Sequence, residues 1–189
     1  SIIADAGNIG DLTFLKKSGG SYVSSNFLNG ATIQAGGNIG NLSIAHDAAD
    51  GGVSSAILNS TISAGGNIGT LTVGQLNGES AIDQSAISAN GNIGAIDLST
   101  TGTGSAIKGI ALLPTVSAGE TIAAVTAKSK NGDAVSTTRF VAGTGITSVT
   151  AISMSGDAFD GSSFSVSAGS IGNMAGTSED GRGIDNTTF

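Results

Sequence analysis

Two acidic segments contain the residue types that bind metal ions. DAADGG at 47–52 and DAFDGS at 157–162 share the form Asp-x-x-Asp-Gly and are predicted to be loops. Ca²⁺ takes six to eight oxygens, so Asp47 with Asp50, or Asp157 with Asp160, could each supply part of a shell. Neither segment has EF-hand spacing or the Gly-Gly-x-Gly-x-Asp nonapeptide of calcium-loaded β-rolls. Hydrated turn carboxylates are the favoured interpretation, calcium is the alternative, and no other cofactor is expected.

The sequence contains no evident arrangement for nucleophilic or acid–base catalysis. The single histidine, His46, is predicted to be a solvated loop residue, because no motif places a serine or carboxylate for it to activate. There is no cysteine, no Gly-x-Ser-x-Gly elbow and no Gly-Lys-Ser/Thr phosphate loop. Polysaccharide-cleaving β-helices need clustered acids or a basic residue on one strand face, and Arg139 and Arg182 have no obvious carboxylate partner in the sequence. We therefore expect the protein not to be an enzyme.

Composition and charge limit the classes of partner. Fourteen acids against seven bases give a net charge of −7, which disfavours nucleic acid. No run of 18 apolar residues is present, so no membrane span is predicted. The absence of cysteine excludes a disulfide scaffold and fits an exported protein. Thirty-one glycines and only 11% charged residues favour strands and tight turns over helices.

A repeat shows which elements must position these residues. The corner Asn-Ile-Gly recurs in DAGNIGDLTF, QAGGNIGNLSI, SAGGNIGTLTV and SANGNIGAIDL. With degenerate copies included, its isoleucine recurs every 24–30 residues, at Ile9, Ile39, Ile68, Ile93, Ile122, Ile146 and Ile171. Such a period indicates a solenoid, in which each unit buries its apolar face only against its neighbours.

Short strands with alternating apolar residues make up each unit. The predicted inward positions of one unit are Ile57, Ile62, Ala64, Ile68, Leu71 and Val73. Three strands per turn, without a 3.6-residue pattern, predict an all-β, right-handed, single-stranded parallel β-helix of about six coils of 24–30 residues. We expect one solenoid over 1–189, with regular coils at 1–105 and degenerate coils at 106–189.

The glycine- and asparagine-rich corner has a structural explanation. Gly65 and Gly66 are expected to adopt backbone angles that a Cβ would forbid. The corner asparagines should stack as a ladder, each side-chain amide donating to the next and satisfying buried polar groups. They are Asn8, Asn38, Asn67 and Asn92. Later coils have Thr121, Gly145 and Ser170 at this place, so the ladder should end after the fourth coil.

Two outward features could contact partners. Length variation is concentrated in loops that follow one strand, and Lys16, Lys17 and Tyr22 in the first loop are the most distinctive exposed candidates for an interaction. The middle residues of the core strands form a column, Thr13, Ser43, Thr72, Asp97, Thr126 and Thr150. Stacked threonines could order water as in ice-binding solenoids, but interruptions such as Asp97 favour simple strand propensity on a solvated face.

The first and last residues have nearly the same phase. Residues 1–3 align with 60–62, and residues 184–189 align with 57–62. Neither segment shows a polar capping element, which a free solenoid needs to cover its open strand edges. We therefore expect either a segment of a longer array or a homopolymer of copies stacked end to end. Six turns would make a rod about 29 Å long.

The AGGNIGxLTV units resemble those of large bacterial β-strand-repeat exoproteins, which are similar to autotransporter passengers and filamentous-haemagglutinin-type adhesins. The resemblance covers 1–105 well and 106–189 loosely. It implies a secreted or cell-surface protein with a structural or adhesive role, and cell-surface glycans or a neighbouring cell as partners. No functional residue carries over, because these families share a scaffold rather than a site.

The expected function is therefore a non-catalytic β-helical rod that acts as a stalk, adhesin segment or matrix filament. The alternative is a carbohydrate-binding or carbohydrate-cleaving β-helix, for which six phenylalanines and one tyrosine provide little surface for stacking sugars. Ice binding is a third interpretation.

Overall fold

Parallel strands wound into a solenoid form the described structure. The computed structural model describes residues 1–16, 26–47, 54–109 and 116–189. Over these ranges there are twenty-one strands and no helix, and hence no helix that could cross a bilayer. Every pair of neighbouring strands is parallel and joins strands three apart in chain order. Each turn of the chain therefore adds one strand to each of three sheets.

The three sheets contain seven strands each over the described ranges. Sheet 1 consists of β1 (Ile2–Ala4), β4 (Thr32–Ala35), β7 (Thr61–Ala64), β10 (Ala86–Ala89), β13 (Val116–Ala118), β16 (Arg139–Ala142) and β19 (Ser163–Val166). Sheet 2 consists of β2 (Leu12–Lys16), β5 (Leu42–Asp47), β8 (Leu71–Leu76), β11 (Ile96–Thr100), β14 (Thr121–Ser129), β17 (Gly145–Ser153) and β20 (Ser170–Ser178). Sheet 3 consists of β3 (Leu28–Asn29), β6 (Ile57–Leu58), β9 (Ile82–Asp83), β12 (Ile107–Lys108), β15 (Val135–Ser136), β18 (Phe159–Asp160) and β21 (Ile184–Asp185).

The register of the sheets confirms the predicted all-β parallel solenoid. Seven strands per sheet are separated by six turns, the predicted number. Each of the first six marker isoleucines pairs with the marker isoleucine of the next coil. In the early coils these pairs lie at the corner between sheets 1 and 2, and in the late coils they lie within the longer strands β14, β17 and β20. The degenerate second half therefore continues the same winding.

The core is a set of stacked apolar columns. The six inward positions predicted for residues 57–73 are at most 5% exposed, which confirms the alternation. In sheet 1 the column changes from isoleucine to aromatic residues, and the rings of Phe140 and Phe164 stack with centroids 4.8 Å apart. Phe189 stacks on Phe164 at 5.7 Å. Offset-stacked rings replace branched aliphatic packing without a change of register.

One predicted alignment is wrong by a single residue. Ile2 pairs with Ile33, which pairs with Ile62, so Ile2 rather than Ile3 begins the column. Because both residues are isoleucine, the apolar pattern alone could not choose between them. The alignment of 184–189 with 57–62 agrees with the register, since Ile184 pairs with Phe159 in the column that contains Ile57.

The corner glycines are required for a reason other than the predicted one. Neither Gly65 nor Gly66 has a positive φ. Instead, a Cβ on Gly65 would collide with the carbonyl of Gly36, and a Cβ on Gly66 with Oδ1 of Asn38. Successive coils lie one strand spacing apart, and at this corner the backbone of one coil rests on the coil before it. Glycine is therefore needed for close approach, not for conformational freedom.

The turn from sheet 3 to sheet 1 does use left-handed backbone. Six described positions of one stacked column have a φ between 44° and 60°. They are Gly30, Asn59, Gln84, Thr137, Gly161 and Asn186. Asparagine and glycine adopt this conformation readily, whereas threonine is β-branched and strained there. The sequence pattern did not indicate this column.

Candidate functional site

The corner asparagines form a hydrogen-bonded ladder along the outside of the solenoid. Oδ1 of each asparagine accepts the backbone N–H of the next one at 2.7 Å, from Asn8 to Asn38, Asn67 and Asn92. Oδ1 of Asn92 accepts the N–H of Thr121 at 3.0 Å. The side chains of the first three are exposed. The predicted donation from one side-chain amide to the next occurs at one rung, where Nδ2 of Asn92 donates to Oδ1 of Asn67 at 3.4 Å. The bonds that run along the whole ladder are instead those in which a side-chain oxygen caps the backbone of the next coil.

A second ladder runs beside the first and was not predicted. Oδ1 of Asp11 accepts the N–H of Asn41 at 2.7 Å, and Oδ1 of Asn41 accepts the N–H of Thr70 at 2.9 Å. The sequence signal was present, because Asp11, Asn41 and Thr70 each lie two residues after the marker isoleucine of their coil. These ladders hold neighbouring coils together, and their side-chain oxygens accept hydrogen bonds from backbone N–H groups of the protein itself.

His46 lies inside the protein, which contradicts its interpretation as a solvated loop residue. It belongs to β5 and is 1% exposed. Its Nδ1–H donates to Oε1 of Gln75 at 2.7 Å, and its ring stacks on Phe27 at 5.9 Å. Strand β5 extends further than expected, so His46 continues the inward alternation of Leu42 and Ile44. The pattern Leu-x-Ile-x-His was the signal that could have identified this position.

Hydroxyl side chains, buried in all but the last coil, continue the His46 column through the later coils. Its members are Thr100, Ser129, Ser153 and Ser178. Each hydroxyl donates to a backbone carbonyl in the loop of the preceding coil at 2.6–2.9 Å and accepts an N–H from its own loop at 2.8–3.2 Å. These bonds fix the loops between sheets 2 and 3, and therefore fix the acidic residues that those loops contain.

Three aspartates converge on the last two described coils. Asp157, Asp160 and Asp185 each place a carboxylate oxygen within 4.8 Å of the others. The guanidinium of Arg182 contacts Asp157 at 3.2 Å and Asp185 at 2.7 Å, a partner that the sequence did not suggest. Burial raises the pKa of Asp160 above its usual range, and repulsion from Asp133 and the other two carboxylates raises it further. Arg182 opposes this rise.

The two predicted acidic pairs do not occupy equivalent places. Asp157 lies at the turn into sheet 3, and Asp160 lies in β18 rather than in a loop. Asp47 is the last residue of β5, and Asp50 lies outside the described residues. Asp157, Asp160 and Asp185 provide three of the oxygens that Ca²⁺ requires, but Arg182 already bonds two of these groups. Calcium binding stays a prediction.

The predicted interaction loop falls largely outside the described ranges. Lys16 is the final residue of β2, while Lys17 and Tyr22 lie in the 17–25 segment that is not described. The predicted outward column from Thr13 to Thr150 is aligned by the register of sheet 2, and Asp97 interrupts it in β11. Ice binding likewise stays a prediction.

A polar groove of about 440 Å³ lies along sheet 3 beside the loops just described. Its charged lining consists of Glu79, Asp83, Lys108 and Asp133. Asp83 in β9 and Lys108 in β12 are paired residues of neighbouring strands. The remaining lining is made of hydroxyls, an asparagine amide and glycine backbone, without an aromatic side chain.

Asp83 is the unusual residue of this groove. It is 7% exposed, and its Oδ1 has no hydrogen-bond partner within the described structure. Burial raises the pKa of Asp83 above its usual 3.8; Lys108 partly lowers it, and Glu79 raises it. The neighbouring Glu79 is held in place because its N–H donates to the carbonyl of Ser54 at 2.8 Å and its carbonyl accepts the Thr100 hydroxyl at 2.8 Å.

The winding, the ladders and the stacked columns define a parallel β-solenoid protein. Comparisons of the chain with protein-family models, with curated proteins and with solved structures found no match.

Proposed function

We propose that this solenoid is a non-catalytic structural rod that serves as a stalk, adhesin segment or matrix filament. The observation that carries the proposal is the unbroken register of all three sheets through seven strands. The corner ladders and the hydroxyl column bond one coil to the next. A scaffold that uses its polar side chains for internal cohesion is suited to maintaining shape and length.

Self-association through the outer coils is part of this proposal. Within the described ranges, the first strand of each sheet and the seventh strands of sheets 2 and 3 have a neighbour on one side only. The seventh strand of sheet 1, β19, is partly covered by the segment around Thr188, which bridges to Ser163. Ile3 on the first coil and Ile184 and Phe189 on the last are exposed apolar side chains. Unpaired strand edges beside apolar surface favour pairing with a strand of another chain. A second copy of this solenoid provides a strand of the right type and spacing.

We further propose a secreted or cell-surface location, with glycans or a neighbouring cell as the adhesive partner. The support is the resemblance of the AGGNIG units to bacterial surface exoproteins and the absence of cysteine. The acidic net charge of −7 is compatible with a surface that does not bind nucleic acid.

Electron microscopy of the purified chain over a concentration series, with and without a calcium chelator, tests the rod and its association. We expect filaments with an axial repeat near the length of six to seven coils, at about 4.8 Å per coil. Ile3→Lys and Phe189→Lys should abolish them, because a charge on an edge opposes strand pairing. Leu76→Lys is the control, since Leu76 is also exposed but lies at the end of the central strand β8. Single short rods at every concentration would contradict self-association, and globular particles would contradict the rod.

A further inference from the structure

The groove beside sheet 3 contains a polar group that the protein itself does not satisfy. Oδ1 of Asp83 is buried without a hydrogen-bond partner among the described residues. A buried acceptor in this state costs free energy unless something in the groove donates to it. By contrast, the corner and loop oxygens described above, in Asn38 and Ser129 for example, are bonded to backbone groups of the next or preceding coil.

The charges of the groove oppose an anion, and Lys108 reduces the attraction of a cation at Asp83. Glu79, Asp83 and Asp133 oppose an anion, because three carboxylates face a single ammonium group. Lys108 opposes a cation beside Asp83, since the two residues are paired on adjacent strands. An uncharged ligand that both donates and accepts hydrogen bonds avoids both forms of repulsion.

The distribution of polar groups matches a chain of hydroxyls. Carboxylates accept hydrogen bonds only, while Lys108 donates, and the Asn131 amide and the serine hydroxyls do both. Asp83, Lys108 and Ser136 occupy three successive strands of sheet 3, which places them over about 10 Å along the axis. That length corresponds to two sugar units rather than to a single small polyol.

We propose that this groove binds an uncharged saccharide, with Asp83 accepting from a pair of ligand hydroxyls and Lys108 and Asn131 donating to ligand oxygens. The absence of an aromatic platform makes the binding weak and dependent on hydrogen bonds. The site does not depend on the rod or on its self-association, because the groove lies on the side of the solenoid, formed by coils between its two ends.

The test is a ¹H–¹⁵N NMR titration of the full chain with uncharged tetramers of glucose, galactose and mannose. A glucosamine tetramer with free amines and a galacturonate tetramer are the charged comparators. We expect saturable shifts of the backbone amides around Gln84, Ser105 and Gly132 with at least one uncharged tetramer, at millimolar concentration. The charged tetramers should bind more weakly.

Variants connect the binding to the named residues. Asp83→Asn keeps the size of the side chain and should weaken binding about tenfold by removing a charged acceptor. Lys108→Ala, at an exposed position with no risk to the core, should weaken it several-fold. Asp97→Asn is the matched control, because Asp97 is an exposed aspartate of a neighbouring sheet outside the groove.

Three results would overturn the proposal. The first is the absence of saturable shifts with all uncharged tetramers. The second is tighter binding of either charged tetramer, which would make the groove an ion-pairing site. The third is unchanged affinity in Asp83→Asn when circular dichroism shows that the variant is folded.

Discussion

Replacement of Asn38 distinguishes two accounts of the corner ladder. In the structure, Oδ1 of Asn38 accepts the N–H of Asn67 at 2.7 Å, and the N–H of Asn38 donates to Asn8. Asn38→Ala removes the first bond and keeps the second. Asn38→Asp keeps an oxygen at the accepting position and removes the amide protons. If the ladder depended on amide donation, the two substitutions would be equally damaging.

The size of the effect follows from one lost hydrogen bond at an exposed position. A typical net contribution is about 0.5–1.5 kcal/mol, and water can partly replace the acceptor here, so we expect Asn38→Ala to cost about 0.5–1 kcal/mol. An unfolding entropy of about 2.1 cal/mol/K per residue gives about 0.4 kcal/mol/K for this length, so Tm should fall by about 1–3 °C. Asn38→Asp should leave Tm unchanged or raise it at pH 7, because a carboxylate is a stronger acceptor.

Thermal and urea unfolding followed by circular dichroism would measure both variants. Asn90→Ala is the control, since Asn90 is an exposed asparagine at the same corner whose side chain forms no hydrogen bond within the described structure. Equal destabilisation by Asn38→Ala and Asn38→Asp would refute the capping account. So would a loss in Asn38→Ala no larger than the loss in the control.

Three further substitutions test other features. Gly66→Ala should lower the free energy of unfolding in urea by about 1–3 kcal/mol, because the added Cβ meets Oδ1 of Asn38. Gly7→Ala, in the same column, should cost much less because the space beside Gly7 is open. Equal costs would contradict the close-approach argument. Thr137→Asn should stabilise by about 1 kcal/mol, since asparagine tolerates the φ of 46° better than threonine; a lower midpoint in urea would count against strain. Asp83→Asn should raise the free energy of unfolding at pH 7. Because the pKa of Asp83 is raised in the native state, the native state binds more protons than the unfolded state between pH 3.8 and the pKa of the folded protein. The stability gained by Asp83→Asn should therefore vanish below pH 3.8. A gain that does not depend on pH would show that the charge of Asp83 is not its cause.

The winding could be predicted from the sequence because its signal repeats. Each GNIG copy marks the same position within its coil, so the alignment of an ambiguous coil can be fixed from the other copies. The buried positions from Ile57 to Val73 were predicted from the alternation of apolar and polar residues. At the first strand no earlier copy exists, and two adjacent isoleucines left the register open by one residue. The prediction for His46 is wrong because a polar residue after an apolar alternation normally indicates the end of a strand, whereas β5 continues to Asp47.

The groove could not be predicted, because its residues come from different coils. Glu79 and Asp83 belong to one turn, Lys108 to the next and Asp133 to the third. These coils differ in length, so the residues share no fixed spacing in the sequence. Their proximity depends on the register of sheet 3, whose strands are only two residues long and carry little pattern. The unsatisfied oxygen of Asp83 is a property of packing alone.

The ladders allow the number of coils to change without altering the bonds between neighbouring coils. The ladder bonds and the bonds that the column hydroxyls donate join residues 21–30 positions apart, and so connect a coil only to the one directly before or after it. Excision of a whole turn, such as residues 61–85, would bring Ser60 next to Ala86 and place each following coil on an equivalent surface. Length is therefore a variable that gene duplication or deletion can adjust in steps of about 4.8 Å, while insertions of a fraction of a turn would break every column at once.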